Sequence, residues 1–167
     1  PAVLARVRAA GPRFRLVIAP RHTERLGEVP QACRGRGIEP AIYGNPVGET
    51  PVVIVDRMGL LMDLYMAGDL AFVGGTLVDI GGHNILEPVW AGTPVLYGPS
   101  LNNVADAAEY IEAHHYGARI ADSAELLETV CAVAGGQRSF ARKTEHDLSE
   151  SAVAATGNYV LAKIDHA

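Results

Sequence analysis

The groups best suited to hold a ligand lie in Gly81-Gly82-His83-Asn84-Ile85-Leu86-Glu87-Pro88. Gly82, with its neighbour Gly81, lets a ligand approach the backbone closely, and Asn84 is a good helix N-cap. The N–H groups of the turn that follows then form an anion site, reinforced by the helix dipole. Pro88 fits if it falls in that first turn, where no donor is needed. Glu87 would face the same mouth, where a carboxylate accepts both hydroxyls of a ribose. Asn84 and Glu87 also fit an ordinary helix cap without a ligand. The strand before them, ending in Gly74-Gly75, and the fixed offset of Glu87 favour the ligand.

Two further segments carry weaker signals. In Pro20-Arg21-His22 the guanidinium of Arg21 suits a phosphate or carboxylate, and His22 could add a hydrogen bond or a charge. Taken alone, a solvated arginine and a capping histidine explain that segment as well. Met58-Gly59 would turn the chain beneath a flat base, with the thioether packed on the ring, although Met58 also reads as core filler. His114-His115 ends a helix and has no carboxylate at metal-ligand spacing, so no metal site is expected. Trp90 reads as helix packing. There is no Ser/His/Asp or Cys/His order and no GxxxxGK[ST] loop, so no catalytic residue is assigned within this chain.

These segments need a scaffold, and the chain supplies one. Short apolar runs alternate with helical patterns, which predicts βα units on a parallel sheet. Strands are expected at Arg15 to Ala19, Ile38 to Tyr43, Val52 to Val55, Leu70 to Val73 (a central strand), Pro94 to Tyr97 and Ala118 to Ile120. Helices are expected at Ala2 to Ala10, Thr23 to Arg34 with Pro30 as a possible break, Gly59 to Ala67, Ile85 to Ala91, Val104 to Ala113, and from Ser123 onward. The Gly59 to Ala67 stretch is apolar all round and is expected to be well buried. The candidate segments all follow strands, and open α/β sheets bind ligands beyond the carboxyl ends of their strands.

The 167 residues are one domain's worth, with 49% hydrophobic residues to build a core. A formal charge of -5 argues against nucleic acid and anionic bilayers as partners. Cys33 and Cys131 form no disulfide framework or zinc motif, which fits a reducing cytoplasm. No apolar run reaches the ~18 residues of a membrane span. The chain starts at Pro1 rather than Met and reads as a piece of something longer.

Certain runs resemble a known family. Pro20-Arg21-His22-x-Glu24-Arg25 is similar to the "PRHPER" segment of 3-deoxy-D-manno-octulosonic acid (Kdo) transferases. Asp56-x-Met58-Gly59 through Leu64-Tyr65 and Gly68-Asp69 resembles their "DTMGEL…LYAAAD". Ala71 to Val78 followed by Gly81 to Pro88 resembles "AFVGGSLVPxGGHNPLEP", and Tyr97-Gly98-Pro99 with Asn102-Asn103 resembles "FGPHTFNF". The match runs in order from Arg15 to Asn103. Leu60 stands where the family has Glu, and Thr23 where it has Pro.

The resemblance implies a Rossmann-like α/β domain with a parallel sheet flanked by helices, one half of a GT-B glycosyltransferase. Residues 1–167 would be the C-terminal, donor-binding half, without the family's first strand of that domain. CMP-Kdo would be the donor, with no cofactor or metal. Pro20, Arg21 and His22 would contact CMP; Met58, Gly59 and Leu60 would border the nucleotide; Gly82, Asn84, Ile85, Leu86 and Glu87 would hold phosphate and ribose. The acceptor would be the lipid A precursor of lipopolysaccharide. The family's catalytic carboxylate and membrane anchor lie in an N-terminal domain, so the whole protein would work at the cytoplasmic face of the bacterial inner membrane, this piece being soluble. A donor domain for a UDP-sugar and a non-catalytic nucleotide-binding module remain as alternatives.

Overall fold

The computed structural model describes residues 14–20, 27–45, 50–78, 84–101 and 104–144. The helix expected at Ala2 to Ala10, Arg21, His22, Gly82 and everything beyond Thr144 lie outside the described residues. The chain divides into two compact units, each with its own three-stranded parallel sheet. One unit runs to Leu61 and takes in Leu127–Ser139; the other runs from Met62 to Leu126 and takes in the residues from Phe140.

The first unit holds β1 (Leu16–Ile18), α1 (Glu28–Arg34), β2 (Ala41–Ile42) and β3 (Val52–Ile54), in the sheet order β1-β3-β2. All pairs are parallel, with Ile18 opposite Ile54 and Ile42 also opposite Ile54. Because β3 is central, all three of its residues are buried, which is why its sequence is continuously apolar rather than alternating. Val52 and Ile54 join Cys33 and Ile38 in one buried cluster, flanked by Leu16, Ile18, Val29 and Ile42. Pro30 does not break α1. It is the third helical residue, in the first turn, where its missing N–H would have no helical partner.

The second unit holds β4 (Ala71–Val73), a 3₁₀ turn (Gly74–Leu77), α3 (Glu87–Trp90), β5 (Val95–Tyr97), α4 (Ala105–Ala113) and β6 (Gly117–Arg119). Its sheet order is β4-β5-β6, all parallel. β5 is the central strand of this sheet and is fully buried, whereas β4, expected to be central, lies at its edge with Phe72 exposed. Val73, Ile85, Val89, Val95, Tyr97 and Ile111 form its core with Ala108 and Tyr116. Tyr97 is completely buried, and its hydroxyl donates to Glu112 Oε1 at 2.9 Å. Burial first, then that bond, push the Tyr97 phenol well above its ordinary pKa.

The helix expected from Ser123 onward ends at Ala134, with residues 138–144 non-helical, and two other helices depart from expectation in burial. α2 (Leu61–Ala67) was expected to be well buried but has no buried residue, and Leu61, Met62 and Met66 are exposed. A helix of only seven residues offers its neighbours one narrow stripe, here the half-buried Leu64 and Tyr65, whatever the composition of its other faces. Trp90, expected to be packed, is 45% exposed, because the short α3 turns its buried side through Pro88 and Val89 instead.

α5 (Ser123–Ala134) has a reciprocal cap. Asp122 Oδ1 accepts the N–H groups of Ala124 (2.7 Å) and Glu125 (3.0 Å), and Glu125 Oε2 accepts that of Ala121 (2.7 Å). Beyond α5, residues 141–143 cross under the amino ends of β4, β5 and β6. Ala141 N donates to His115 O, Arg142 reaches the carbonyls of Gly68 and Asp69, and the buried Lys143 donates to the Tyr110 hydroxyl at 2.5 Å.

Candidate functional site

In the first unit, the Val55 N–H to Ile18 carbonyl bond (2.9 Å) continues the β1–β3 pairing by one step. It sets Pro20 and Asp56 at the same carboxyl edge, as the strand pattern implied. Pro20 is half-buried there. The chain then turns through Arg57, Met58 and Gly59. Gly59 has φ +85°, the left-handed region that glycine enters without a Cβ penalty, and nothing described lies within 4 Å of where a Cβ would point. Met58 is 75% exposed, so it is not core filler; its side chain is available to a ligand's flat face. Leu60 is half-buried and supplies no polar side-chain group.

In the second unit, Thr76 shapes the carboxyl edge. Its hydroxyl is buried and bonded twice, donating to Val73 O at 2.5 Å and accepting from Gly98 N at 2.5 Å, while Thr76 O accepts from Ser100 N at 2.9 Å. The Gly74–Leu77 turn is thereby fastened onto the end of β5. A Cβ on Gly98 would lie 2.2 Å from Thr76 O, so only glycine allows this approach.

Asn84 is not the N-cap of α3. That position is Leu86, which makes no side-chain cap. Asn84 instead sits two residues earlier and closes an Asx turn, its Oδ1 accepting the Leu86 N–H at 3.0 Å. The reason is Pro88: a helix capped by Asn84 would need the N–H of residue 88 to bond the Asn84 carbonyl, and proline has none, so the helix begins later. The anion grip expected of a whole open turn is correspondingly reduced. Leu86's donor is taken and Pro88 has none, which leaves, among the described residues, the N–H groups of Glu87 and Val89 from the first turn.

Asn84 has a second task. Its Nδ2 donates to Glu87 Oε1 at 3.3 Å, which orients the half-buried carboxylate. Tyr65 of α2 stands within electrostatic reach. Burial, and next the Glu87 charge, push its phenol above the ordinary range. The Tyr65 main chain is itself fixed, because the Thr93 hydroxyl donates to its carbonyl. Ile85 is fully buried in the core and Leu86 packs against it, so any ligand contact from these two is through the backbone.

The structure thus places Pro20 with Met58, Gly59 and Leu60 at one carboxyl edge, and Asn84 through Glu87 at the start of α3 in the other unit. Sequence reasoning gave no role to Thr76, Gly98 or Tyr65. Thr76 and Tyr65 were visible only as letters in family-like runs, since their effects come from a buried hydroxyl and a neighbouring charge. Among the described residues, no group of three or more His, Cys, Asp or Glu could hold a metal ion. No helix among them is long and apolar enough to cross a membrane.

No family model matches the sequence. The 3-deoxy-D-manno-octulosonic acid transferase of Aquifex aeolicus is 40% identical over 114 residues, covering 68% of this chain and 32% of that protein. The transferase of the same description from Chlamydia pneumoniae is 37% identical over 114 residues, 66% of this chain and 26% of its own length. The chain therefore spans about a third or less of the curated relatives it matches. In structure, it is similar to the C-terminal CMP-Kdo binding domain of WaaA from Acinetobacter baumannii, with a TM-score of 0.71 and 26% identity, covering 81% of this chain and 72% of that one. Sequence and fold agree that the chain is a homologue of the Kdo transferases and has the parallel α/β fold of the WaaA C-terminal domain.

Proposed function

We propose that this chain binds CMP-Kdo as the donor domain of a glycosyltransferase that moves Kdo onto a lipid A precursor. The observation that carries the reading is the agreement between the Kdo transferase relatives and the fold match to a CMP-Kdo binding domain. The nucleotide would rest on Met58 and the Gly59 turn, with Pro20, Arg21, His22 and the Leu60 backbone beside it. Gly82 and the backbone of Asn84 through Leu86 would hold the phosphate, and Glu87, steadied by Asn84, would accept the ribose hydroxyls.

The domain's contribution to the reaction is positional and electrostatic. It would fix the anomeric carbon for displacement, while Arg21 and the N–H groups of Glu87 and Val89 offset the charge growing on the departing CMP phosphate. The base that takes the acceptor's hydroxyl proton would be a carboxylate of a second domain, so the present chain would bind donor but not turn it over. The whole protein would meet its lipid acceptor at the cytoplasmic face of the inner membrane. No metal or cofactor enters this scheme.

The test is a thermal-shift and calorimetric comparison of CMP, UMP and 2′,3′-dideoxy-CMP. CMP should bind more tightly than UMP. Glu87→Ala should weaken CMP by about tenfold and leave the dideoxy compound nearly unaffected, as expected for the loss of charge-assisted bonds to the ribose. A preference for UMP, or a Glu87→Ala variant that still tells CMP from its dideoxy analogue, would overturn the assignment.

A further inference from the structure

Arg57 is held in an unusual way for a surface arginine. It follows β3 immediately before Met58, at the carboxyl edge of the first sheet. Its guanidinium carbon lies 5.5 Å from the Tyr43 ring centroid, and its Nη2 donates to the Tyr43 carbonyl at 3.2 Å. Nε lies 3.4 Å from Asp56 Oδ1. Tyr43 directly follows β2, so the arginine leans across the edge from one strand end to the next. The turn beside Tyr43 is shaped to admit it. Gly44 has φ +90°, and a Cβ there would sit 3.0 Å from Nη2. The side chain nevertheless stays 55% exposed.

These contacts use two of the five N–H donors of a guanidinium. Among the described residues no partner takes the other three, which lie on Nη1 and Nη2, the two nitrogens whose end-on fork matches a carboxylate or phosphate. Stacking on Tyr43 has already removed much of the freedom that a long side chain loses on binding, so the fork is preorganised. The need for a local cation is real, because a chain of formal charge -5 offers an anion no help at long range.

We propose that Arg57, braced on Tyr43, is an anion-binding and specificity-determining residue that grips a paired-oxygen group, phosphate or sugar carboxylate, of the bound nucleotide sugar. The inference rests on the donor-domain reading and extends it to a residue which that reading does not use.

The experiment titrates the full 167-residue chain with cytidine, CMP and CMP-Kdo, comparing wild type, R57Q, R57K and R34Q. Arg34 pairs with Glu39 before β2, at the opposite edge, and controls for the lost charge. R57Q should bind the anionic ligand about five- to tenfold more weakly, with cytidine unchanged, R34Q like wild type, and R57K intermediate. A loss already seen with CMP assigns the phosphate; a loss confined to CMP-Kdo assigns the carboxylate. R57Q binding all three ligands like wild type, or losing cytidine in equal measure, overturns the role of Arg57 alone. A wild-type chain that binds none of them overturns the donor reading, and this inference with it.

Discussion

Replacing Gly98 with alanine tests how the second unit builds its carboxyl edge. The added Cβ would stand 2.2 Å from Thr76 O, 2.4 Å from Thr76 C and 2.5 Å from Leu77 N. All three are backbone atoms, so no rotamer change relieves the clash, and the Gly74–Leu77 turn must lift by about 1 Å to reach ordinary contact distance. That movement breaks the Gly98 N–H bond to Thr76 Oγ1 and the Ser100 N–H bond to Thr76 O. Two lost hydrogen bonds, one at a buried hydroxyl, cost about 2–4 kcal/mol, and residual overpacking adds about 1 kcal/mol. The expected total of about 3–5 kcal/mol corresponds to a drop in Tm of roughly 6–20 °C for a chain of this size. Thermal denaturation followed by circular dichroism reads it directly, and Thr76→Val should reproduce part of the loss without adding a clash at Gly98. Gly136→Ala serves as the contrast. It sits at φ +70° with nothing described within 4 Å of the new Cβ, so only backbone strain of about 1 kcal/mol should appear. Gly98→Ala melting within about 1 °C of wild type would refute the close approach on which this turn depends.

Other consequences are as direct. Lys143→Ala removes a buried side chain bonded to Tyr110, and should cost about 2–4 kcal/mol in urea unfolding, whereas Lys143→Met, which keeps the packed stem, should lose about half of that. Tyr97 gives stability that is complete below the ordinary phenol pKa and lost as pH rises from there toward its raised folded value. Wild type should therefore weaken above pH ~10 by an increment that Tyr97→Phe lacks. Asp122 shifts the opposite way, lowered by the backbone N–H groups of Glu125 and Ala124. Its contribution is present above the ordinary aspartate pKa and disappears as pH falls through the depressed one, so Asp122→Ala should flatten the acid limb of the stability profile. Tyr65→Phe removes the hydroxyl near Glu87 and should change CMP affinity with little effect on melting; a large Tm loss with CMP affinity unchanged would assign Tyr65 a packing role instead.

Much of the scaffold was legible from residue types. Val52–Ile54 and Val95–Tyr97 announce themselves as buried strands because β-branched and aromatic runs between turn residues have few other stable fates, and their continuous apolarity requires cover on both faces. Gly59 and its left-handed φ follow from the need to turn sharply after β3. The identity and order of the family-like runs pointed to the same parallel α/β fold that the structure shows.

What one dimension could not carry was the outcome of competition in space. Asn84 looked like a cap because caps are local, but Pro88 lacks the N–H that would close a first turn on the Asn84 carbonyl, so the helix starts later and the Asn84 amide bonds Leu86 and Glu87. α2 read as buried because its residues are apolar, yet burial is decided by how much surface the neighbours cover, and seven residues show them one stripe. Composition and spacing determined which segments become strands and which glycines must turn. Tertiary packing alone decided that Thr76 pins Gly98 and that Tyr43 braces Arg57, because each joins groups whose positions follow from the assembled sheet and turns.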